Sequence, residues 1–194
     1  NKGLMWQDIA GRKRDTPARF AFPTFLEIDE MSAMLPVLGK YRWEICRTIQ
    51  GVKWNDIRDK SLTSEYQDYI QFYRKNRDLS DEARDKVKLQ LQKSRNNSRE
   101  TFLIDYEAWI KNEANGSMKM NKVARELLAT YCPFEKEIRM KLNAQRPYEV
   151  AQARSFRNAV KKKQELELKI KALQKVTPKV PDEIINTYKF YAEM

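Results

Sequence analysis

The chain has 194 residues, no histidine, five glycines, seven prolines and two cysteines, and 38 Lys and Arg against 27 Asp and Glu give it a net charge of +11. The absence of histidine removes the commonest general base, a common ligand of zinc and iron, and every Ser-His or Cys-His nucleophilic pair. Few glycines, with apolar residues at helical spacing, argue against a β-rich or α/β protein.

The cysteine content and the hydropathy of the chain indicate the cellular compartment in which the protein is expected. Cys46 and Cys132 stand apart in the sequence, so they predict neither a disulfide framework nor a zinc site and favour a reducing compartment. No apolar run is long enough to span a membrane, and no charged-then-apolar leader is present. We therefore predict an intracellular location, nucleus or cytoplasm, and no cofactor. The start at Asn1 rather than Met is compatible with a fragment or a trimmed product.

The first segment, residues 1–24, is predicted to form a basic and aromatic arm because it lacks a sustained hydrophobic period. The cluster Arg12, Lys13 and Arg14 is interleaved with aromatic residues such as Phe20. Such an arm can lie along a phosphate backbone. The alternative is an irregular segment whose aromatic rings attach it to the core.

Residues 25–145 are predicted to form a helical core domain that begins with short helices over 25–35 and 36–50. A turn at Gly51 and a further helix over 52–60 would then meet the loose description of a helix-turn-helix. Any helical hairpin with a glycine cap has the same pattern, so the signal for DNA reading is weak.

Three tyrosines share one face of the next predicted helix, which runs from Thr63 to Asn76. Tyr66, Tyr69 and Tyr73 follow the i, i+3, i+7 pattern. They could form a stacking platform for bases, but an aromatic stripe at helical spacing favours a core position.

Ser80 is predicted to cap a helix that ends at Gln92, and Ser98 to cap another over 99–112. The loop between them, residues 93–99, is polar and basic. A loop of this kind either grips phosphates or serves as an ordinary connector.

The strongest apolar face of the chain lies on this second helix and consists of Phe102, Leu103, Tyr106, Trp109 and Ile110. We predict that it occupies the centre of the core. Two further amphipathic helices complete the core domain.

The last segment, residues 146–194, is predicted to form a long helix over 147–176, followed by a helix that folds back on it. Pro147 suits the first helical turn, and Pro178 prevents continuation. The long helix separates apolar packing from positive charge. Its apolar side carries Phe156, Ala159, Leu166, Ile170 and Leu173, and the opposite side carries Arg154, Arg157 and Lys161.

The run Lys161–Lys163 is the most specific basic feature. Lys161 extends the basic side, Lys162 lies to one side, and Lys163 occupies a core-like position of the seven-residue pattern, from which its amine can reach water. Taken together, the predicted elements indicate an all-α fold class. We expect a bundle of about eight to nine helices with one long C-terminal amphipathic helix folded back as a hairpin.

Only carboxylates and lysines remain as candidates for acid–base chemistry, and no glycine-rich phosphate loop is present. Asp56 with Asp59, and Asp105 with Glu107, are two examples of such candidate pairs. Residues two apart point to different helix faces, and the first pair is equally typical of a solvated turn. We predict that the protein is not an enzyme and holds no metal.

The leading hypothesis is a non-catalytic nucleic-acid-binding or nucleoprotein-assembly module for DNA or RNA, because the largest share of the excess charge, +5, falls in residues 151–194. Its contacts with phosphates would position the protein on the nucleic acid without reading bases. The predicted contacts are Arg12, Lys13, Arg14, Arg154, Arg157, Lys161 and Lys162.

The alternative is a helical scaffold or adaptor that docks onto a protein partner, or self-associates, without nucleic acid. Its interface would be Phe156, Leu166, Ile170 and Leu173. Binding to a membrane surface ranks third, because the first half of the long helix carries no Trp and little bulky apolar material.

Overall fold

The computed structural model describes residues 3–6, 19–177 and 179–193. This part of the chain is mostly helical with almost no strand, which confirms the all-α fold class. The α-helices are α1 (Glu30–Gln50), α2 (Leu62–Phe72), α3 (Asp81–Lys93), α4 (Ser98–Lys111), α5 (Lys122–Tyr131), α6 (Lys136–Leu142), α7 (Arg146–Gln174) and α8 (Asp182–Glu193). The chain divides into two compact units, Asn1–Phe134 and Glu135–Met194.

The first unit opens with a two-stranded antiparallel ribbon, in which β1 (Leu4–Trp6) pairs with β2 (Arg19–Ala21). The Phe20 ring packs edge-to-face on Tyr41 of α1, with 5.4 Å between ring centroids. An aromatic side chain thus connects the ribbon to the first helix.

Helix α1 is continuous through Pro36, so the predicted division into helices over 25–35 and 36–50 is wrong. Asp29 caps it by accepting a hydrogen bond from the Ser32 amide at 2.9 Å. Pro36 lacks the amide that would bond the carbonyl of residue 32. Ala33 and Val37 are nevertheless both buried, and their packing holds the helix on either side of the proline.

The helix-turn-helix prediction is also wrong. Residues 51–60 form two short 3₁₀ turns, Gly51–Lys53 and Ile57–Asp59, and no second helix. Asp56 accepts hydrogen bonds from the amide of Arg58 at 3.1 Å and from its guanidinium at 2.9 Å. Local bonding of this kind offers the backbone an alternative to a helix.

One of the three predicted helix caps is confirmed and two are wrong. Ser80 caps α3 as predicted, accepting from the Ala83 amide at 3.3 Å. Asn97 rather than Ser98 caps α4, and Ser61 rather than Thr63 caps α2, where it forms a reciprocal capping box with Ser64. In these two helices the cap lies one or two residues before the predicted one.

The core of the first unit is aromatic, and the tyrosine face of α2 belongs to it. Phe102 lies 5.4 Å from Trp43 and 5.3 Å from Tyr66, and all three rings are buried. Tyr69 and Tyr73 are buried too, which supports the core interpretation over a stacking platform.

Helix α4 occupies the centre of this core, as predicted. Trp109 is fully buried, stacks on Phe134 at 4.2 Å and donates its indole N–H to the Cys132 carbonyl at 2.9 Å. Beside it, Glu113 and Arg125 form a buried ion pair at 2.7 Å. That pair is completed by the Met120 amide and carbonyl, both at 2.7 Å.

The second unit consists of α6, α7 and α8. The buried residues of α7 are Tyr148, Ala151, Ser155, Ala159 and Leu166. Ser155 is therefore buried in place of Phe156, whose predicted position on the packing side is wrong. The Tyr188 hydroxyl of α8 donates to Glu167 of α7 at 2.9 Å.

Candidate nucleic-acid interface

One face of α7, together with its C-cap residue Lys175, presents a continuous exposed stripe, which we call the basic stripe. Its members recur at alternating intervals of three and four residues and are all exposed: Arg154, Arg157, Lys161, Gln164, Leu168, Lys171 and Lys175. This interval keeps side chains on one side of a helix. From its first to its last member the stripe spans roughly 32 Å, at about 1.5 Å per residue.

The charge of the basic stripe is of one sign. Five of its seven members are cationic and none is a carboxylate. Arg157, Lys161, Lys171 and Lys175 have no ion-pair partner among the described residues. Unpaired cations in a row attract a polyanion more strongly than the same number of neutralised ones.

The other two lysines of the 161–163 run do not join the basic stripe. Lys162 is half-buried and pairs with Glu165 at 3.6 Å. The Lys163 amine lies over the Tyr188 ring, 5.8 Å from its centroid, an arrangement that stabilises a cation. Of the predicted contacts in the second unit, Arg154, Arg157 and Lys161 therefore share a face, and Lys162 lies beside it.

The predicted contacts of the arm, Arg12, Lys13 and Arg14, lie outside the described residues. Nothing in the structure bears on their placement.

The four residues predicted for a partner interface differ in exposure. Phe156 is 59% exposed and Val160, one turn away, is 39% exposed. Leu166 is buried, and Ile170 and Leu173 are half-buried. An apolar docking surface on α7 would therefore centre on Phe156 rather than on Leu166.

The carboxylates considered for acid–base chemistry bond to other side chains rather than to each other. Asp56 is bound to Arg58, as described above, and Asp59 pairs with Lys53 at 3.2 Å. Glu107 pairs with Lys111 at 2.7 Å. Asp105 is buried instead, and no two of these carboxylates share a hydrogen-bonded partner within the described structure.

Metal sites and membrane spans are both absent from the described residues. They contain no group of three or more Cys, Asp or Glu side chains arranged to hold a metal ion. No helix among them combines the length and the apolar character needed to cross a bilayer.

A family model described as a domain of unknown function, DUF8509, matches residues 51–191. The chain belongs to this family. No curated protein and no solved structure gives a significant match. The matched region contains the whole of the basic stripe and excludes the ribbon and α1.

Sequence reasoning missed the second half of the basic stripe. Gln164, Lys171 and Lys175 continue the spacing set by Arg157 and Lys161. The signal was present in the helical period, but Leu168 interrupts the charge and conceals the continuity.

Proposed function

We propose that the protein is a non-catalytic module that binds nucleic acid or assists nucleoprotein assembly, with the basic stripe of α7 lying along phosphates. The observation that carries the proposal is the row of five cations without a carboxylate on one exposed helix face. Contacts of this kind neutralise phosphates and release counterions, so they bind without sequence preference.

The proposal includes a hairpin of α7 and α8 that holds the basic stripe in place. The hydrogen bond from Tyr188 to Glu167 and the position of Lys163 over the same ring support it. It also retains Arg12, Lys13 and Arg14 as a second set of phosphate contacts, on the strength of their charge.

The proposal is tested with a stripe variant, Arg157→Gln, Lys161→Gln, Lys171→Gln and Lys175→Gln. We expect its affinity for labelled duplex DNA to fall, because four cations without partners in the described structure are removed. The log–log salt slope should become shallower by about 0.9 for each phosphate that the variant no longer neutralises. Fluorescence anisotropy across a salt series measures both quantities.

A charge-matched control separates the basic stripe from net charge. Lys60, Lys119, Lys136 and Lys141 are exposed, lie off the stripe and form no ion pair within the described structure. Their replacement by Gln removes the same charge and should change the slope far less. If the affinity and the salt slope decreased equally in the two variants, binding would depend only on the net charge of the protein. That result would contradict the assignment of the binding site to α7.

A second candidate function, a scaffold that docks onto a protein partner, is favoured by Phe156 and Val160. These two apolar side chains are adjacent and exposed on α7. Since burial of Leu166 makes it a poor probe, the test uses Phe156→Gln with Val160→Gln. Loss of concentration-dependent mass in light scattering would support docking between copies, and an unchanged monomer before and after substitution would count against it.

A further inference from the structure

Cations without a carboxylate partner in the described structure lie on both sides of the turn between α3 and α4, although Arg74 donates a hydrogen bond to the Tyr73 hydroxyl at 3.2 Å. Two clefts flank it, of about 820 Å³ and 740 Å³. The larger is lined by Lys40, Lys93 and Arg95, and the smaller by Arg74 and Lys88. None of these five cations has a carboxylate partner among the described residues.

The carboxylates of the larger cleft are already occupied. Glu100 pairs with Arg99 at 3.1 Å, and Glu107 pairs with Lys111 at 2.7 Å. The smaller cleft has no carboxylate among its described lining residues. The turn therefore presents net positive charge that the described structure does not itself neutralise, which favours an anionic ligand.

The smaller cleft, which we call the amide cleft, also carries groups that suit a nucleobase. Its walls include the side-chain amides of Gln67, Gln71, Gln92 and Asn96, all but Gln67 exposed, and no described protein group occupies their hydrogen-bonding atoms. Each amide offers both a donor and an acceptor, the pair that Asn and Gln use on base edges.

The shape of the amide cleft favours an unpaired base. It is a concave space between α2 and the end of α3. A duplex shows its base edges only inside its grooves, which a protein reads with a protruding element. A base that has left the stack exposes its edges, and amides in a concave cleft can hydrogen-bond to those edges.

The backbone of the turn adds a second argument. Arg95 and Asn96 have φ values of +52° and +57°, in the left-handed region. The Asn96 amide donates to the Leu91 carbonyl at 2.8 Å and the Arg95 amide to the Gln92 carbonyl at 3.2 Å, closing the helix in the manner usually associated with glycine at the Arg95 position. Arg95 is exposed and holds a backbone conformation that favours glycine, and residues that carry such a conformational cost cluster at functional sites.

We propose that the α3–α4 turn binds one nucleotide of single-stranded nucleic acid, with its base in the amide cleft and its flanking phosphates on Lys88, Lys93 and Arg95. This inference rests on the proposed function and adds to it a second binding region and a preference for unpaired bases. The basic stripe would supply affinity for any nucleic acid, and the turn would supply the preference.

The test uses two variants of the turn. The first, Lys88→Gln, Lys93→Gln and Arg95→Gly, removes the cations. The second, Gln71→Ala and Asn96→Gly, removes two amides. Glycine relieves the left-handed backbone at Arg95, so the cation variant should keep or raise its thermal midpoint, by up to about 4 °C. Asparagine already tolerates this conformation, so the amide variant should melt close to the native chain. Thermal melting thereby separates a folding defect from the removal of a binding group.

Binding is measured against labelled oligothymidylate, an abasic strand of equal length and a duplex. The cation variant should bind oligothymidylate with a salt slope shallower by about 0.7 for each phosphate that it no longer neutralises. The amide variant should bind oligothymidylate at least about fivefold more weakly and keep its affinity for the abasic strand. Duplex binding should stay within about twofold of the native protein in both, a margin below one typical hydrogen bond. Lys60→Gln, Lys119→Gln and Lys136→Gln form the matched control.

The outcomes distinguish this inference from the proposed function. If the native chain binds no nucleic acid, the proposed function fails and the inference with it. If the native chain binds and both turn variants bind like it, the inference alone is overturned. An equal decrease in affinity for oligothymidylate and the abasic strand in the amide variant would also overturn it, because a base would then play no part.

Discussion

At the scale of single residues, Asp105 is the side chain with the most distinctive chemistry. Its carboxylate is buried in the core and accepts hydrogen bonds from the Tyr66 hydroxyl at 2.8 Å and from Gln90 at 2.9 Å. Burial raises the pKa of Asp105 to about 6, although the two hydrogen bonds act to lower it. An acid with this environment couples its ionisation to folding.

We predict a pH-dependent stability that depends on Asp105. Its folded pKa, about 6, exceeds the unfolded value, so the folded state binds more protons between these two values and its free energy of unfolding falls as the pH rises through them. A shift of this size corresponds to about 2–3 kcal/mol. Denaturant titrations of the native chain and of Asp105→Asn between about pH 4 and 7 should show the difference, since asparagine cannot ionise.

The reference for this experiment is Asp81→Asn, which alters an exposed carboxylate at the start of α3. It should leave the pH dependence of the native chain in place. If the free energy of unfolding of the native chain and of Asp105→Asn changed in parallel with pH, the pH dependence could not be assigned to Asp105.

The position of Asp105 could have been predicted from the sequence. It lies three residues after Phe102 and four before Trp109, the spacing of a single helix face. Pairing it with Glu107 as a catalytic candidate ignored that spacing. A carboxylate within a strong apolar stripe is better interpreted as a buried, hydrogen-bonded group.

At the scale of secondary-structure elements, α1 and α4 pack closely at a glycine. A Cβ atom added at Gly39 would lie 2.6 Å from Leu103 Cδ2 and 3.1 Å from the Tyr106 ring. A side chain at position 39 would therefore make Leu103 and Tyr106 shift, and Gly39 fits the approach of α4 without any special backbone angle.

We predict that Gly39→Ala destabilises the protein although alanine is the better helix former. The propensity gain is about 1 kcal/mol, whereas overpacking a core costs about 1–3 kcal/mol. The expected net loss is about 1 kcal/mol in the free energy of unfolding, measured with chemical denaturant.

The same substitution made in a Leu103→Ala background should change sign. Removing the leucine side chain opens the space that the new methyl group needs, so Gly39→Ala should now stabilise the chain. A double-mutant cycle measures this coupling. Additive effects would show that the two side chains do not compete for space.

Sequence patterns predicted elements best where one strong signal stood alone. Ser80 followed by an acidic first turn indicated the start of α3, and the apolar face of α4 placed that helix in the core. Pro36 was misleading, because a proline near a helix start marks a boundary only on average. Here the buried residues on both sides of the proline keep the helix continuous. The predicted turn at Gly51 is confirmed, but the helix expected after it is replaced by a turn in which Asp56 forms local hydrogen bonds.

At the scale of the whole molecule, some cations form ion pairs within the protein and others do not, and the two kinds are distributed unevenly along the chain. Around the first unit many cations are paired within the protein, as Arg125 is with Glu113. Along α7 and at the α3–α4 turn, most lie unpaired in the described structure. The net charge of +11 could be counted from the sequence, but which cations remain unpaired depends on tertiary contacts and could not.

The division into two units also determines how folding can be observed. All four tryptophans, Trp6, Trp43, Trp54 and Trp109, belong to residues 1–134, and residues 135–194 have none. Tryptophan emission consequently comes from the first unit alone, whereas far-ultraviolet circular dichroism records the helices of both. Comparing the two signals on one sample assigns the destabilisation caused by any variant to its own unit, without cutting the chain or attaching a dye.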